Sequence, residues 1–226
     1  ERRGFAYTGS PPHVLRLTQS RMAIKERLRS AGLPTLPAAI LTDPAQATGW
    51  TAYPAIVKGA NQHASFGITR ESVVHTREEI EERVRHLREF FNDDALVEPF
   101  LDTREFQVGV WGNDRPEALP PSEIVYPMST DIRDRLHTAA WKRDPESRGF
   151  KEIQMPCPAP ADRPDWRRRI ETVAVQAVWR FGCMRTDGCP SSPRTQAPDS
   201  LSTARAPIST RHIRQLATSD KAGCQQ

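Results

Sequence analysis

The sequence predicts an α+β fold. Two stretches, residues 77–91 and 166–181, carry apolar side chains at the spacing of about 3.6 residues that amphipathic helices show. Short apolar runs elsewhere have the length and pattern of β-strands. Because helices and strands mix without the regular strand–helix alternation of a doubly wound parallel sheet, the α+β class is favoured.

Length, charge and composition exclude several classes of protein. A chain of 226 residues can bury the core of one large domain or of two small ones. No apolar stretch approaches the roughly 18 residues that cross a bilayer, and four cysteines without paired spacing do not form a disulfide scaffold. The net charge of +4 is too small to predict nucleic-acid binding. We therefore expect a cytoplasmic protein with no membrane or nucleic-acid partner.

The N-terminal half is expected to begin with a helix and two strands. Residues 20–31 form the helix, which Gly32 ends. A strand begins within residues 37–41, and residues 53–58 form a buried strand that closes on Lys58. A loop with glycine at both ends follows this lysine.

Residues 77–91 then form the first strong helix. Thr76 can cap its N-terminus, with Glu79 in the third helical position of a capping box. One stripe of this helix is apolar and is expected to face the core. The stripe consists of Ile80, Val84, Leu87 and Phe91.

The next part of the chain is expected to contain three strands, over residues 95–98, 105–111 and 122–126. The second alternates apolar and polar side chains, as a half-buried strand does. Residues 127–165 are rich in proline and charge and are expected to be mostly loop. The second strong helix follows at residues 166–181.

Residues 188–226 differ from the rest of the chain. They contain no aromatic residue and no Glu, and five basic against two acidic residues give this tail a charge of +3. Because the tail has few apolar side chains, their burial cannot offset the conformational entropy lost on ordering, and we expect the tail to be disordered. At most, a brief helix could form around Ile208, Ile213 and Leu216. A basic adaptor that binds an acidic partner through this tail is one alternative function.

A lysine that closes a buried strand and precedes a Gly/Ser loop is typical of phosphate binding. Lys58 supplies a positive point charge, and the loop from Gly59 to Gly67, which includes Ser65, leaves backbone N–H groups accessible. The same local pattern also occurs by chance, so the pattern alone leaves both interpretations open.

Two carboxylates lie seven positions apart around a Pro-Phe-Leu turn. Glu98 and Glu105 are either two surface carboxylates or parts of a hinge whose backbone meets an adenine edge. In the second interpretation, a carboxylate accepts hydrogen bonds from ribose hydroxyls. The neighbouring motifs decide between the two.

Seven short motifs occur along the chain in a fixed order. They are Tyr7-Thr8-Gly9-Ser10, the helix end with Lys25 and Ala31-Gly32-Leu33-Pro34, Ile56-Val57-Lys58, Ser65-Phe66-Gly67, Val97-Glu98-Pro99-Phe100-Leu101, Arg104-Glu105-Phe106-Gln107-Val108-Gly109 and Pro120-Pro121-Ser122-Glu123-Ile124. In this order and spacing the chain resembles the ATP-grasp ligases, specifically the D-alanine–D-alanine ligase family, over roughly residues 4–183.

The resemblance implies an ATP-grasp fold, in which two α+β subdomains with mainly antiparallel sheets sandwich the nucleotide. It also implies a reaction: ATP phosphorylates a substrate carboxylate, an amine attacks the acyl phosphate, and the resulting dipeptide serves cell-wall precursors. Magnesium and lysines would stabilise charge on the transferred phosphoryl group. The implied partners are ATP and a small amino acid, and full-length family members commonly form dimers.

By position, the resemblance assigns Lys58 and Arg21 to the ATP phosphates, and Ser65 and Gly67 to the loop that closes over them. Ser10 would be a catalytic residue near the amino-acid substrate. The remaining nucleotide contacts would come from the adenine hinge, Glu98, Pro99, Phe100 and Leu101, and from the ribose-binding Glu105.

Three departures from the family pattern bear on activity. Arg21 replaces the first nucleotide-contacting lysine, and Ala140 occupies the lysine position of an Ala-Lys-Trp motif, with Lys142 two positions on. No Glu follows Asp187, so the Glu-x-Asn element that holds magnesium is absent from this sequence and the metal ligands are unknown. A non-catalytic nucleotide-binding fragment that lacks the magnesium site is therefore the alternative function.

Four parts are expected along the chain. Residues 1–19 end a truncated N-terminal domain, residues 20–98 form the first ATP-grasp subdomain, residues 99–187 form an incomplete second subdomain, and residues 188–226 form a divergent tail. The abrupt loss of pattern near residue 184 leads to the hypothesis of a shifted reading frame in a ligase truncated at both ends.

Overall fold

Helices and antiparallel sheets make up the described part of the protein, as the sequence predicts. The computed structural model describes residues 10–63, 65–112, 115–127, 131–160, 164–182 and 208–209. Within these ranges, no helix has both the length and the apolar character needed to span a membrane.

A four-stranded antiparallel sheet forms the first half of the structure. Its order across the sheet is β1 (Ala39–Leu41), β4 (Ala95–Pro99), β2 (Ala55–Gly59) and β3 (Val73–Val74). The predicted strands at residues 37–41, 53–58 and 95–98 are confirmed as β1, β2 and β4. The sequence does not predict β3, because two residues carry no periodicity.

The helix α3 (Arg77–Phe91) covers one face of this sheet. Its predicted cap is confirmed, because the Thr76 hydroxyl accepts from the backbone N–H of Glu79 at 3.3 Å. The reciprocal half of the capping box is wrong: the Glu79 carboxylate accepts instead from the backbone N–H of His75 at 2.6 Å. The core beneath α3 is formed by Ile80, Val84 and Leu87 of the helix with Leu41, Ala47, Ala55, Val57, Val74, Ala95 and Val97.

Two shorter helices precede the first sheet. The unpredicted α1 (Pro12–Leu17) is only six residues long. The predicted helix at residues 20–31 is confirmed as α2 (Arg21–Ser30), whose first turn is capped by the hydroxyl of Ser20. The backbone N–H of Arg21 donates to the carbonyl of Ala60 at 3.0 Å, which joins the start of α2 to the end of β2.

A second hydrophobic cluster lies under α6 (Pro164–Phe181), which confirms the predicted helix at residues 166–181. Its strands are β5 (Glu105–Gln107), β6 (Val110–Trp111), β7 (Glu117–Ala118), β8 (Ser122–Ile124) and β9 (Ile208–Ser209). The β5 strand lies between β8 and β9, whereas β6 pairs with β7. The cluster is formed by Phe106, Val108, Val110, Ile170, Ala174 and Val178.

The single strand predicted over residues 105–111 is wrong, because the structure divides it into β5 and β6. The carbonyl of Gly109, between them, accepts from the backbone N–H of Leu119 at 2.8 Å outside either ladder. The alternation itself persists, since Phe106, Val108 and Val110 are all buried. Alternating side chains therefore identify the buried face but not the point where the sheet changes.

The segment at residues 127–165, expected to be mostly loop, contains two short helices, α4 (Ala139–Arg143) and α5 (Arg148–Glu152). Five residues are too few to show an apolar period, so the sequence does not reveal either helix. In the tail, residues 208–209 are extended, so the brief helix is wrong there. The rest of the tail prediction lies outside the described residues, and the four-part organisation stays a prediction.

Candidate functional site

Strand alternation places the candidate site residues on the sheet faces opposite the helices. On the first sheet, Val57 and Val97 point toward α3, so Lys58 and Glu98 lie on the opposite face. On β5, Phe106 packs into the cluster under α6, so Glu105 lies on the other face. Lys58, Glu98 and Glu105 therefore lie on the sheet faces opposite the two hydrophobic clusters.

A buried cluster of charges surrounds Glu98, whose side chain is only 9% exposed. Its carboxylate forms ion pairs with the ammonium groups of Lys58 and, at 2.5 Å, of Lys25. Burial raises the pKa of the Glu98 carboxyl, but the attraction of Lys58 and Lys25 outweighs burial, and the pKa falls to about 2. The structure thus brings two predicted site residues, Lys58 and Glu98, into direct contact.

The helix α2 supplies two of the cations near this cluster. Arg21 and Lys25 are one helical turn apart, and the Nε of Arg21 donates to the carbonyl of Gly59 at 3.0 Å. Burial lowers the pKa of the Arg21 guanidinium, and the charges of Glu98 and Asp93 act in the opposite direction. Lys25 was not predicted as a site residue, although its spacing from Arg21 is a signal that could have identified it.

The loop after β2 is fixed at its beginning. The side-chain amide and the backbone N–H of Asn61 donate to the two carboxylate oxygens of Asp93, at 2.9 and 3.0 Å. A methyl group at Gly59 would come within 2.6 Å of an Asp93 carboxylate oxygen, so only glycine fits there without a shift. The loop therefore leaves β2 in a defined direction.

The same loop is held near its end by α3. Ser65 and Gly67 both have left-handed backbone conformations, with φ of 64° and 66°. The guanidinium of Arg83 donates to the carbonyl of Gly67 at 2.8 Å. A side chain at Gly67 would meet the ring of Phe91 at 3.3 Å, in addition to the strain of its φ.

Lys142 of α4 contacts this loop directly. Its ammonium group donates to the hydroxyl of Ser65 at 2.6 Å, and that hydroxyl donates to the carbonyl of His137 at 3.0 Å. The next residue, Arg143, places its guanidinium carbon 5.5 Å from the centre of the Phe66 ring. Lys142, two positions after the expected lysine position, thus brings a positive charge to the hydroxyl of Ser65.

The hinge segment is fixed at its first residues. Pro99 pairs with Ala55 in the first sheet, and the backbone N–H of Phe100 donates to the carbonyl of Pro54 at 2.8 Å. Within the part of the chain that the structure describes, no hydrogen bond is recorded for the backbone N–H of Leu101. A donor for a base edge at this hinge would therefore be Leu101 and not Phe100.

The two remaining predicted residues have different surroundings. The Glu105 carboxylate accepts from the hydroxyl of Tyr126 at 2.6 Å. Ser10 lies just before α1 and is half-buried, and among the described residues no recorded hydrogen bond or ion pair joins it to Lys58, Glu98 or Glu105. Its predicted role near the amino-acid substrate stays a prediction.

The described residues contain no cluster of metal ligands. No group of three or more His, Cys, Asp or Glu side chains among the described residues is arranged to hold a metal ion. Asp187, after which the sequence contains no Glu, lies outside those ranges. The magnesium ligands therefore stay unassigned among the described residues.

A family model and several curated relatives match this chain. The family model described as the D-ala D-ala ligase C-terminus matches residues 28–186. The D-alanine–D-alanine ligase of Desulforamulus reducens is 31% identical over 188 residues, which are 78% of this chain and 55% of that protein. That of Desulforudis audaxviator is 28% identical over 188 residues, covering 80% and 56%. The chain thus spans about half the length of these two relatives.

Solved structures with the same fold come from several enzymes. The VanG D-Ala:D-Ser ligase from Enterococcus faecalis superposes with a TM-score of 0.63 at 20% identity, over 80% of this chain and 50% of that one. The D-alanine–D-alanine ligase from Coxiella burnetii has a TM-score of 0.56 at 18% identity, over 80% and 44%. The biotin carboxylase domain of the Hydrogenobacter thermophilus 2-oxoglutarate carboxylase, solved with MgADP, has a TM-score of 0.59 at 19% identity, over 80% and 38%.

Proposed function

The chain belongs to the D-alanine–D-alanine ligase family and has the ATP-grasp fold, and from this premise we propose that it is the nucleotide-binding part of an ATP-dependent carboxylate–amine ligase. The reaction joins two small amino acids, of the D-alanine type, into a dipeptide for cell-wall precursors. The protein binds ATP and an amino acid, and has no nucleic-acid or membrane partner. The reaction takes place in the cytoplasm.

The observation that carries this proposal is the cluster of cations at the start of the Gly/Ser loop. Lys58, Lys25 and Arg21 converge on Glu98 and on the last residues of β2, and Glu98 balances part of their charge. The phosphates of a nucleoside triphosphate would supply the further negative charge that these three cations can stabilise. In this proposal Lys58 and Arg21 bind the ATP phosphates.

The loop and α4 would close over the same phosphates. Ser65 and Gly67 provide a hydroxyl and a backbone with left-handed φ, a conformation that turns backbone N–H groups toward an anion. Lys142 would add a positive charge, because its ammonium group already contacts Ser65. In this proposal Lys142 replaces the family lysine, whose position is occupied by Ala140 in this chain.

The hinge and β5 would bind the nucleoside. The backbone N–H of Leu101, together with the main-chain carbonyl of Pro99, would meet the adenine edge, with Glu98 and Phe100 flanking it. Glu105 would accept hydrogen bonds from the ribose hydroxyls, which a carboxylate does more strongly than a neutral acceptor. Ser10 stays a proposed contact for the amino-acid substrate.

In the reaction, a substrate carboxylate oxygen would attack the γ-phosphorus of ATP, and ADP would leave. The amine of the second amino acid would then attack the acyl carbon and displace inorganic phosphate. Fixed cations lower the activation barrier of phosphoryl transfer, because they stabilise the negative charge on the transferred phosphoryl group in the transition state. Magnesium would add Lewis-acid stabilisation when bound, but no described residue of this chain is assigned to it.

The direct test measures ADP release from the purified chain with MgATP and D-alanine. ADP release that depends on D-alanine supports the proposed ligase. Nucleotide binding without ADP release would support the alternative, a nucleotide-binding fragment that does not catalyse the reaction. A chain that binds no ATP would contradict both.

A further inference from the structure

Tyr126 makes the one hydrogen bond recorded for the Glu105 side chain within the described ranges. Its hydroxyl donates to Oε2 of Glu105 at 2.6 Å, and no partner of Oε1 is recorded there. Burial and the neighbouring charge of Glu105 raise the pKa of the Tyr126 hydroxyl, so it stays protonated as a donor. One oxygen of the carboxylate is therefore held and the other is left for a further donor.

The strand pairing explains why Tyr126 meets this carboxylate. Glu105 on β5 is paired with Ile124 on β8, so both side chains lie on the same face of the sheet. Tyr126 follows Ile124 by two positions and returns to that face. The intervening Val125 forms a bridge with Gln154, through hydrogen bonds of 2.9 and 3.1 Å, which keeps the chain extended up to Tyr126.

A second contact fixes β8 against β5. The guanidinium of Arg104 forms two hydrogen bonds with the carboxylate of Glu123, at 2.6 and 2.7 Å. Arg104 precedes Glu105, and Glu123 precedes Ile124, so this bidentate pair prevents slippage of the register that brings Tyr126 to Glu105. The Tyr126–Glu105 contact thus lies beside a second contact that joins the same two segments.

We propose that Tyr126 is a positioning residue that orients Glu105 toward a sugar hydroxyl of the bound nucleotide, and that it thereby sets a preference for ribonucleotides. The inference rests on the proposed ATP site. With Oε2 held by Tyr126, Oε1 keeps one direction, and a nucleotide with ribose hydroxyls donates to it. A nucleotide without those hydroxyls donates no hydrogen bond to Oε1. The orientation of the Glu105 carboxylate therefore adds nothing to the affinity for that nucleotide.

Calorimetric titration with ATP and with 2′,3′-dideoxy-ATP tests this role. We expect the wild type to bind ATP about tenfold more tightly than the dideoxy analogue. Tyr126→Phe should weaken ATP binding several-fold and leave the affinity for the dideoxy analogue unchanged. The ratio of the two affinities should therefore become smaller. Tyr53→Phe is the matched control, because it removes a buried hydroxyl for which no hydrogen-bond partner is found among the described residues.

The outcomes separate a positioning role from a structural one. Equal loss of both nucleotides in Tyr126→Phe would overturn the proposal, because a general loosening does not distinguish the sugars. A wild type that binds ATP and dideoxy-ATP equally would overturn it too, while the proposed ATP site would stand. In Glu105→Gln, the further change Tyr126→Phe should have no added effect on the ratio, and an undiminished effect would contradict the role. A wild type that binds neither nucleotide would overturn the ATP site together with this inference.

Discussion

Glu98 shows how single residues prepare this site. A buried carboxylate is costly unless it is paired, and here two ammonium groups balance it. Because Lys58 and Lys25 come from different elements, their contact with Glu98 also joins β2, β4 and α2. The sequence could predict Lys58 and Glu98 from their motifs, but not their contact, which depends on antiparallel register between strands 40 positions apart.

We expect Glu98→Gln to reduce the free energy of unfolding by about 3 kcal/mol at pH 7, because two buried ammonium groups lose their counter-charge. The pKa of Glu98 is lowered on folding, from 4.5 to about 2, so its stabilisation is present above 4.5 and is lost as pH falls toward 2. Urea unfolding at several pH values should therefore show the two proteins converging in that interval. A constant difference across the interval would contradict the ion pairing.

Lys142→Ala should weaken ATP binding about tenfold, because the loop loses the cation that contacts Ser65. Calorimetry with ATP measures the effect. Lys151→Ala is the matched control, because Lys151 lies on the neighbouring α5 and pairs with Glu146 at the surface. Equal affinities of the Lys142 variant and the control would refute a phosphate role for Lys142.

At the scale of elements, the strongly amphipathic segments are predictable and the short ones are not. The helices α3 and α6 follow from their apolar stripes, and capping residues place the start of α3. The helices α4 and α5 and the break after β5 depend on side-chain and backbone contacts that no apolar period reveals. Trp141 of α4 lies against Gly149 of α5, and a methyl group at Gly149 would come within 1.8 Å of the indole.

Gly149→Ala should therefore separate α4 from α5, at a cost of about 1–3 kcal/mol of unfolding free energy. Because α4 carries Lys142, the variant should also bind ATP more weakly. Gly49→Ala is the control, since a methyl group there meets nothing within 4 Å. Thermal unfolding and ATP titration of both variants test the link, and a Gly149 variant with unchanged stability and affinity would disprove it.

At the scale of the molecule, charged side chains join the first half of the structure to the segment between β8 and α4. Arg70, which precedes β3, forms ion pairs with Asp131 and Asp134, and Arg133 contacts Glu79 of α3 at 2.7 Å. The family could be predicted from the order of the motifs, because each motif places residue types that the family uses at a turn or at a strand end. The magnesium ligands could not, because no Glu follows Asp187.

The central claim is that Lys58 and the Gly/Ser loop form an ATP site, and ATP titration of Lys58→Ala tests it most directly. The variant keeps Lys25 as a partner for Glu98, so its fold should survive, which its unfolding curve would verify. We expect the wild type and Lys151→Ala to bind ATP alike, and Lys58→Ala to bind at least tenfold more weakly. A folded Lys58→Ala variant that binds ATP with wild-type affinity would contradict the claim.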